Sequence, residues 1–241
     1  MNLIIDVGNT LVKLALFQGD VMVDKKEFSK SRIYIEVKKL VRAKQPKRAI
    51  ISNVGKLPES VMNKLTDLIP ILNVDATIKL PFKNLYKTPH TIGSDRLALA
   101  AAAAIQYPNI NVLVIDVGSC ITYDFIDKNK HFLGGGISPG LSMRYKALHT
   151  FTAKLPLLKP SPPDALFGDS TLSSIHSGTF GGLLKELDGV ISDYKKNYTD
   201  LTVILTGGDA KLLANRLKNS IFANSKFLLE GLNSLLEFNT K

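Results

Sequence analysis

The sequence predicts two α/β domains, each a β-β-β-α-β-α unit, with a cleft between them. Strand-length apolar runs alternate with helical stretches along the chain. The opening segment Leu3-Ile4-Ile5-Asp6-Val7-Gly8-Asn9-Thr10 also recurs as Val112-Leu113-Val114-Ile115-Asp116-Val117-Gly118-Ser119-Cys120, which places Asp116 110 residues after Asp6. A duplicated unit explains such a recurrence better than one continuous sheet does. The division falls near Pro108 to Asn111, giving domains 1–110 and 111–241, and 241 residues suffice for two cores.

Leu3 to Val7 is a short apolar run suited to a buried strand. Beyond Gly8-Asn9-Thr10, Val12, Leu14 and Leu16 share one face of a second strand, and Val21 to Phe28 returns as a third after the turn Gln18-Gly19-Asp20. Ser31 caps a predicted helix that runs to about Lys44 and stops before Pro46. Ala49 to Ser52 reads as a strand and about Glu59 to Leu68 as a helix. Gly93-Ser94-Asp95 opens an alanine-rich helix over Arg96 to Gln106, ended by Pro108. In the second half, Ile121 to Ile126 is a strand and a single long helix is expected from Thr171 to about Lys195. Leu201 to Leu205 is a further strand, and Thr206-Gly207-Gly208-Asp209 leads into another helix.

Composition narrows the chemistry. Hydrophobic residues make up 45% and charged residues 22% of the chain, which is globular composition. A lone cysteine, Cys120, excludes a disulfide framework and multi-cysteine metal sites, and the four histidines never reach metal-ligand spacing. No apolar run is long enough to span a membrane, and the first residues carry no basic-then-apolar leader, so a cytoplasmic protein without a membrane partner is expected. The net charge is +10, densest over Lys38 to Arg48. That block lacks an interleaved aromatic platform for bases and reads as a solvated helix end, so nucleic acid is not expected as a partner.

Three segments carry candidate chemistry. In Asp6-Val7-Gly8-Asn9-Thr10, glycine lets main-chain N–H groups approach a phosphate, Asn9 and Thr10 add neutral donors, and Lys13 adds positive charge. Asp6 cannot touch phosphate favourably by itself, so it either holds a hydrated Mg²⁺ that bridges to the nucleotide or, in a plain hairpin turn, accepts backbone hydrogen bonds. Asp116-Val117-Gly118-Ser119 repeats the arrangement, and two such hairpins facing each other would clamp a polyphosphate. Asp95 and Arg96 lie at a helix N-terminus, where a carboxylate can take a proton from an attacking alcohol and an arginine can grip a carboxylate. Local chemistry leaves a surface helix cap equally open at that position. Thr206-Gly207-Gly208-Asp209 admits a nucleotide close to the backbone, or is simply a tight strand-to-helix connection.

Together these segments resemble the type III pantothenate kinases, of the acetate and sugar kinase, heat-shock ATPase and actin superfamily. The matching strings are Asp6-x-Gly8-Asn9-Thr10-x-x-Lys13, Tyr86-x-x-Pro89-x-x-x-Gly93-x-Asp95-Arg96 and Asp116-x-Gly118-Ser119-x-x-Thr122-x-Asp124. Gly134-Gly135-Gly136-Ile137-Ser138-Pro139-Gly140-Leu141-Ser142-Met143 and Thr206-Gly207-Gly208 complete them in the same order. The Asp-x-Gly hairpins mark the superfamily, whereas the strings at Tyr86 and Gly134 are specific to this kinase type.

The resemblance implies two ribonuclease H-like, actin-like ATPase domains and ATP-dependent phosphorylation of pantothenate, the first step of coenzyme A synthesis, by direct in-line transfer. Asp95 would be the general base. Asp6, Val7, Gly8, Asn9, Thr10, Leu11, Val12 and Lys13 would form the ATP phosphate loop with Ser119, and Asp6 would hold Mg²⁺ through water. Tyr86, Gly93, Ser94, Asp95 and Arg96 would line the pantothenate pocket. Asp116 would bind the monovalent cation, K⁺ or NH₄⁺, that such kinases require. Thr171 would reach pantothenate in a neighbouring subunit, which implies a homodimer with active sites at the interface. Ser119-Cys120 replaces the family's usual Thr-Ala, keeping a hydroxyl and a small apolar neighbour. The alternatives are another small-alcohol or acid kinase of the superfamily and a non-enzymatic transcriptional accessory factor.

Overall fold

The computed structural model describes residues 1–240. In chain order the elements begin with β1 (Asn2–Val7), β2 (Val12–Gln18), β3 (Val21–Phe28), α1 (Ile33–Lys44), β4 (Arg48–Asn53), α2 (Glu59–Thr66), β5 (Ile71–Asn73), β6 (Lys83–Asn84) and α3 (Ser94–Gln106). They continue with β7 (Asn111–Val117), β8 (Cys120–Ile126), β9 (His131–Pro139), α4 (Leu141–Thr150), α5 (Thr171–His176), α6 (Gly182–Asn197), β10 (Leu201–Thr206), α7 (Ala210–Ala214), β11 (Phe222–Ala223) and α8 (Phe227–Asn239). The described residues divide into two compact units, one comprising residues 1–109, 128–133 and 226–240, the other residues 110–127 and 134–225.

The first unit is a five-stranded sheet in the order β3-β2-β1-β4-β5, with β1 antiparallel to β2 and parallel to β4. Successive side chains of a strand point to opposite faces. Leu3, Ile5 and Val7 of β1 therefore join Val12, Leu14 and Leu16 of β2 against Ile33, Val37 and Leu40 of α1 and Leu65 of α2. The alternate positions Ile4 of β1, Ala15 and Phe17 of β2 and Ile50 of β4 are also buried. Helices α3 and α8 belong to this unit and pack along each other. Burial on both faces explains why β1 reads as an unbroken apolar run rather than an alternating one. Leu97 to Ala104 of α3 are all buried, so small side chains are needed all round that helix, which accounts for its alanines. Gly231 of α8 lies so close to the Ala98 carbonyl that a methyl group would not fit there.

The second unit repeats the arrangement with the strand order β11-β10-β7-β8-β9, where β7 is antiparallel to β8 and parallel to β10. Leu113, Ile115 and Val117 of β7 and Ile121, Tyr123 and Phe125 of β8 form its core with Tyr145 of α4 and Leu183, Leu187 and Ile191 of α6.

Two local expectations need correction. Ser31 does not cap α1, because Lys30–Arg32 form a single 3-10 turn and the helix begins at Ile33 without a side-chain cap. The helix expected from Thr171 to Lys195 is not uniform: α5 ends at His176, Ser177–Gly181 widen into a π turn, and α6 continues to Asn197. The turn contains Gly178 and Gly181, poor helix formers that favour such a distortion. The two Asp-x-Gly hairpins also differ in length. Val7 pairs with Val12, leaving Gly8 to Leu11 in the loop, whereas Val117 pairs with Ile121, leaving Gly118 to Cys120. The repeat thus holds through the glycine and then closes one residue sooner. The basic block behaves as a solvated helix end should. Helix α1 stops at Lys44, Gln45 takes a left-handed conformation, and Arg48 enters β4, where it pairs with Glu237 at 2.8 Å.

Candidate active site

In the first unit, strand periodicity brings the polar residues together. Asp6 lies on the sheet face opposite Leu3, Ile5 and Val7; Lys13 is its cross-strand partner on β2 and Ser52 its neighbour on β4. Asp6 is 4% exposed, and its carboxylate lies 3.8 Å from the Lys13 ammonium. Burial pushes the Asp6 carboxyl up to about 6; Lys13 and a hydrogen bond from Ser52 pull it down, and the charge of Asp95 raises it further. The loop closes through a bond from Gly8 N–H to the Leu11 carbonyl at 3.1 Å. The segment after β4 is held beside it, with Gly55 N–H donating to the Val7 carbonyl at 2.8 Å and Lys30 Nζ to the Gly55 carbonyl at 2.9 Å.

Helix α3 begins on Gly93, which occupies the cap position, so Asp95 lies in the first turn rather than acting as the cap. Asp95 Oδ1 accepts from the Arg96 amide at 2.8 Å. Burial raises the Asp95 carboxyl above the usual carboxylate range, while the Arg96 amide and guanidinium act against that rise. A methyl group on Gly93 would collide with Asp95 Oδ1, so glycine there leaves room for the carboxylate. Arg96 is 5% exposed, far from a surface pairing partner for Asp95. Its guanidinium stands 5.5 Å from the Tyr86 ring centre and 5.9 Å from that of Phe132. A cation held against two aromatic faces keeps its charge at low desolvation cost and is suited to gripping a carboxylate. Sequence reasoning found Asp95, Arg96 and Tyr86 but missed Phe132 and Ser52. Phe132 left no local signal. Ser52 left a weak one, a hydroxyl ending an apolar strand run in line with Asp6.

In the second unit, Asp116 and Thr122 are cross-strand partners, in the same relation as Asp6 and Lys13. Gly118 N–H bonds the Cys120 carbonyl at 3.0 Å, and Asp209 N–H bonds the Val117 carbonyl at 3.0 Å, fastening the β10–α7 connection to the hairpin. Gly207, at φ +98°, adopts a conformation that favours glycine, and any side chain there would strike Asp116 Oδ1 and the Val117 carbonyl. The space beside the Asp116 carboxylate is therefore kept open. The Thr122 hydroxyl is buried without a hydrogen-bond partner among the described residues. Carboxylate, hydroxyl and carbonyl oxygens are the donors a hard monovalent cation takes, so the residues present fit one. No group of three or more His, Cys, Asp or Glu side chains converges among the described residues. A lone buried carboxylate such as Asp6 suits Mg²⁺, which keeps most of its waters and shares the substrate's phosphates.

Behind the second hairpin, Glu186 of α6 accepts from Ser138 Oγ at 2.7 Å, Tyr123 Oη at 3.0 Å and Arg144 at 2.6 Å. Arg144 Nε also donates to the Pro139 carbonyl at 2.9 Å, so the glycine-rich β9 segment is held from α4 and α6. Thr171 opens α5, whose cap Ser170 and Ser173 bond reciprocally. It lines an open groove of about 1020 Å³ with Arg144, Leu148, Leu155 and Ile175.

The family described as type III pantothenate kinase matches residues 2–193. The chain belongs to the type III pantothenate kinase family. A type III pantothenate kinase of Christiangramia forsetii is 51% identical over 241 residues, covering 99% of each chain. One of Flavobacterium johnsoniae is 44% identical, covering 99% of this chain and 98% of its own. Among solved structures, a conserved putative Baf family transcriptional activator from Campylobacter jejuni superposes with a TM-score of 0.65 at 21% identity, over 98% of both chains. A ROK family glucokinase from Streptomyces griseus superposes with a TM-score of 0.53 at 11% identity, over 99% of this chain and 98% of its own. Such identities show the fold alone: the duplicated α/β architecture of actin-like ATPases and sugar kinases, as the recurring Asp-Val-Gly segments predict.

Proposed function

We propose that the protein transfers the γ-phosphate of ATP to the terminal hydroxyl of pantothenate, by direct in-line transfer with Asp95 as general base. The observation that carries this reading is the joint placement, in one unit, of the Asp6–Lys13 pair, the Asp95 carboxylate in the first turn of α3 and the buried Arg96 between Tyr86 and Phe132.

In this reading the amides of Val7 to Val12 and the Lys13 ammonium receive ATP phosphates, and Ser119 gives its hydroxyl to ATP. Asp6 holds Mg²⁺ through water; the ion, when bound, neutralises the phosphate charge that builds during transfer. Arg96 takes the pantothenate carboxylate, with Tyr86, Gly93 and Ser94 completing the pocket. Asp95 accepts the proton of the attacking hydroxyl at a carboxylate oxygen. Burial raises the Asp95 carboxyl above the usual carboxylate range, which makes it a better base than an ordinary aspartate. Most of the acceleration then comes from placement and preorganised charge. Asp116, with Thr122 beside it, holds the monovalent cation.

The protein acts as a homodimer in which Thr171 completes the partner's pantothenate site. Phe151, Leu166 and Phe167 of the second unit are 85%, 78% and 76% exposed, an apolar display that a second subunit would cover. Among the described residues no helix is long and apolar enough to cross a membrane, and action in the cytoplasm is proposed.

The deciding experiment supplies ATP and Mg²⁺ to the purified protein with pantothenate or a panel of other small alcohols and acids, with and without K⁺. Pantothenate should be the preferred acceptor, with K⁺ or NH₄⁺ required. Preference for another acceptor would overturn the substrate assignment, and turnover indifferent to monovalent cations would remove the role of Asp116.

A further inference from the structure

Ser52, the β4 neighbour of Asp6, has no role in the transfer described above, yet its surroundings assign it work. It ends the buried part of β4 and is 0% exposed. A hydroxyl so buried is costly unless both its donor and its acceptor capacity are used. Strand register sets it beside Asp6, whose carboxyl its hydroxyl acts to lower. Its oxygen also lies 2.9 Å from Ser94 Oγ, on the first residue of α3. An ionised carboxylate only accepts, so Ser52 donates its hydrogen to Asp6. Its lone pair then receives the hydroxyl hydrogen of Ser94. The result is a directed chain, Ser94 to Ser52 to Asp6, running from the turn that carries Asp95 to the carboxylate of the first hairpin.

We propose that Ser52 is a positioning residue that ties the first turn of α3 to Asp6, and so fixes the Asp95 carboxylate relative to the hairpin that holds ATP. This rests on the phosphoryl-transfer reading above. Without the tie, Ser94 loses the partner that orients it, and the helix start keeps only its local contacts, such as Leu97 N–H to the Gly93 carbonyl and the Arg96 amide to Asp95 Oδ1. Small displacements of a base from its reacting atom lower the rate without weakening ground-state binding, and about 1 Å can cost about a hundredfold.

The test uses the full-length protein with Ser52→Ala, Ser94→Ala and the double variant. In Ser52→Ala, kcat should fall at least about tenfold while the KM for ATP stays within about threefold, because the charge of Asp6 remains. At saturating pantothenate the double variant should have a kcat no lower than that of Ser52→Ala, since the two hydroxyls form one link, whereas independent roles would multiply; the pocket contact of Ser94 is read separately in the KM for pantothenate. Ser94 is half-buried, so its variant breaks the same link with little risk to folding. Amide exchange over residues 93–99 is measured on the same samples without ATP, and should be faster in both single variants by at least about fivefold. A Ser52→Ala kcat within about twofold of wild type, multiplicative losses in the double variant, or unchanged exchange would each overturn the proposal. Failure of the wild-type protein to phosphorylate pantothenate would instead overturn the substrate reading, and the exchange measurement would still decide the role of Ser52.

Discussion

Replacing Asp6 with asparagine should stabilise the free protein while destroying its activity. Asp6 is 4% exposed, and its carboxyl rises from 3.8 to about 6 because burial outweighs the attraction of Lys13 at 3.8 Å. That displacement corresponds to about 3 kcal/mol against the ionised form. The sign follows from linkage. With the folded value above the unfolded one, the favourable contribution is complete below about 3.8 and is lost as the pH rises through about 6. Above that range the wild type carries the whole penalty of a buried charge. An asparagine carries no charge, still accepts from Ser52, and must house one extra N–H pair. The net gain for Asp6→Asn at about pH 8 is therefore about 1–3 kcal/mol, read as about 2–4 °C of melting temperature per kcal/mol. Thermal melts from about pH 4 to pH 8 should show the two proteins converging at the acid end. Saturating Mg²⁺–ATP should reverse the order at neutral pH, since ligand at a hundredfold excess over Kd adds about 2.7 kcal/mol to the wild type alone. An Asp6→Asn protein less stable than wild type at about pH 8, or a gap that does not change with pH, would refute the reasoning.

Other expectations follow from single contacts. Gly93→Ala forces the Asp95 carboxylate to move and should lower kcat at least about tenfold, with a melting temperature within about 4 °C of wild type. Gly207→Ala meets both an unfavourable φ and the Asp116 carboxylate; it should cost about 1–3 kcal/mol in urea unfolding and abolish K⁺ stimulation of turnover. Glu186→Ala leaves Arg144, Tyr123 and Ser138 without their shared acceptor and should cost about 2 kcal/mol in the same assay; an unchanged midpoint would show that the network is not structural.

Much of this architecture is legible in the sequence because its signals are local. The β1 and β7 runs with their Asp-Val-Gly ends, the alanines of α3 and the Gly-Gly-Asp connection after β10 each follow from burial pattern or turn chemistry within a few residues. What is not legible depends on pairing across distance. Nothing local says that Phe132 closes on Arg96, or that Ser52 reaches Ser94. The one-residue difference between the hairpins is already implied by second strands that start at Val12 and Ile121, and the register of Val7 with Val12 and Val117 with Ile121 bears it out. The π turn at Ser177–Gly181 is not legible either, because Gly178 and Gly181 mark a weak point in a helix without saying which distortion it takes. The burial of Asp6 likewise follows from its place on a sheet covered on both faces.

Turnover of Asp95→Asn at saturating ATP, Mg²⁺, K⁺ and pantothenate tests the assignment of the base most directly. Asparagine keeps the shape and the bond from the Arg96 amide but cannot take a proton. The rate should fall by at least about a hundredfold with the unfolding curve unchanged, whereas near-normal turnover by a folded Asp95→Asn protein would contradict it.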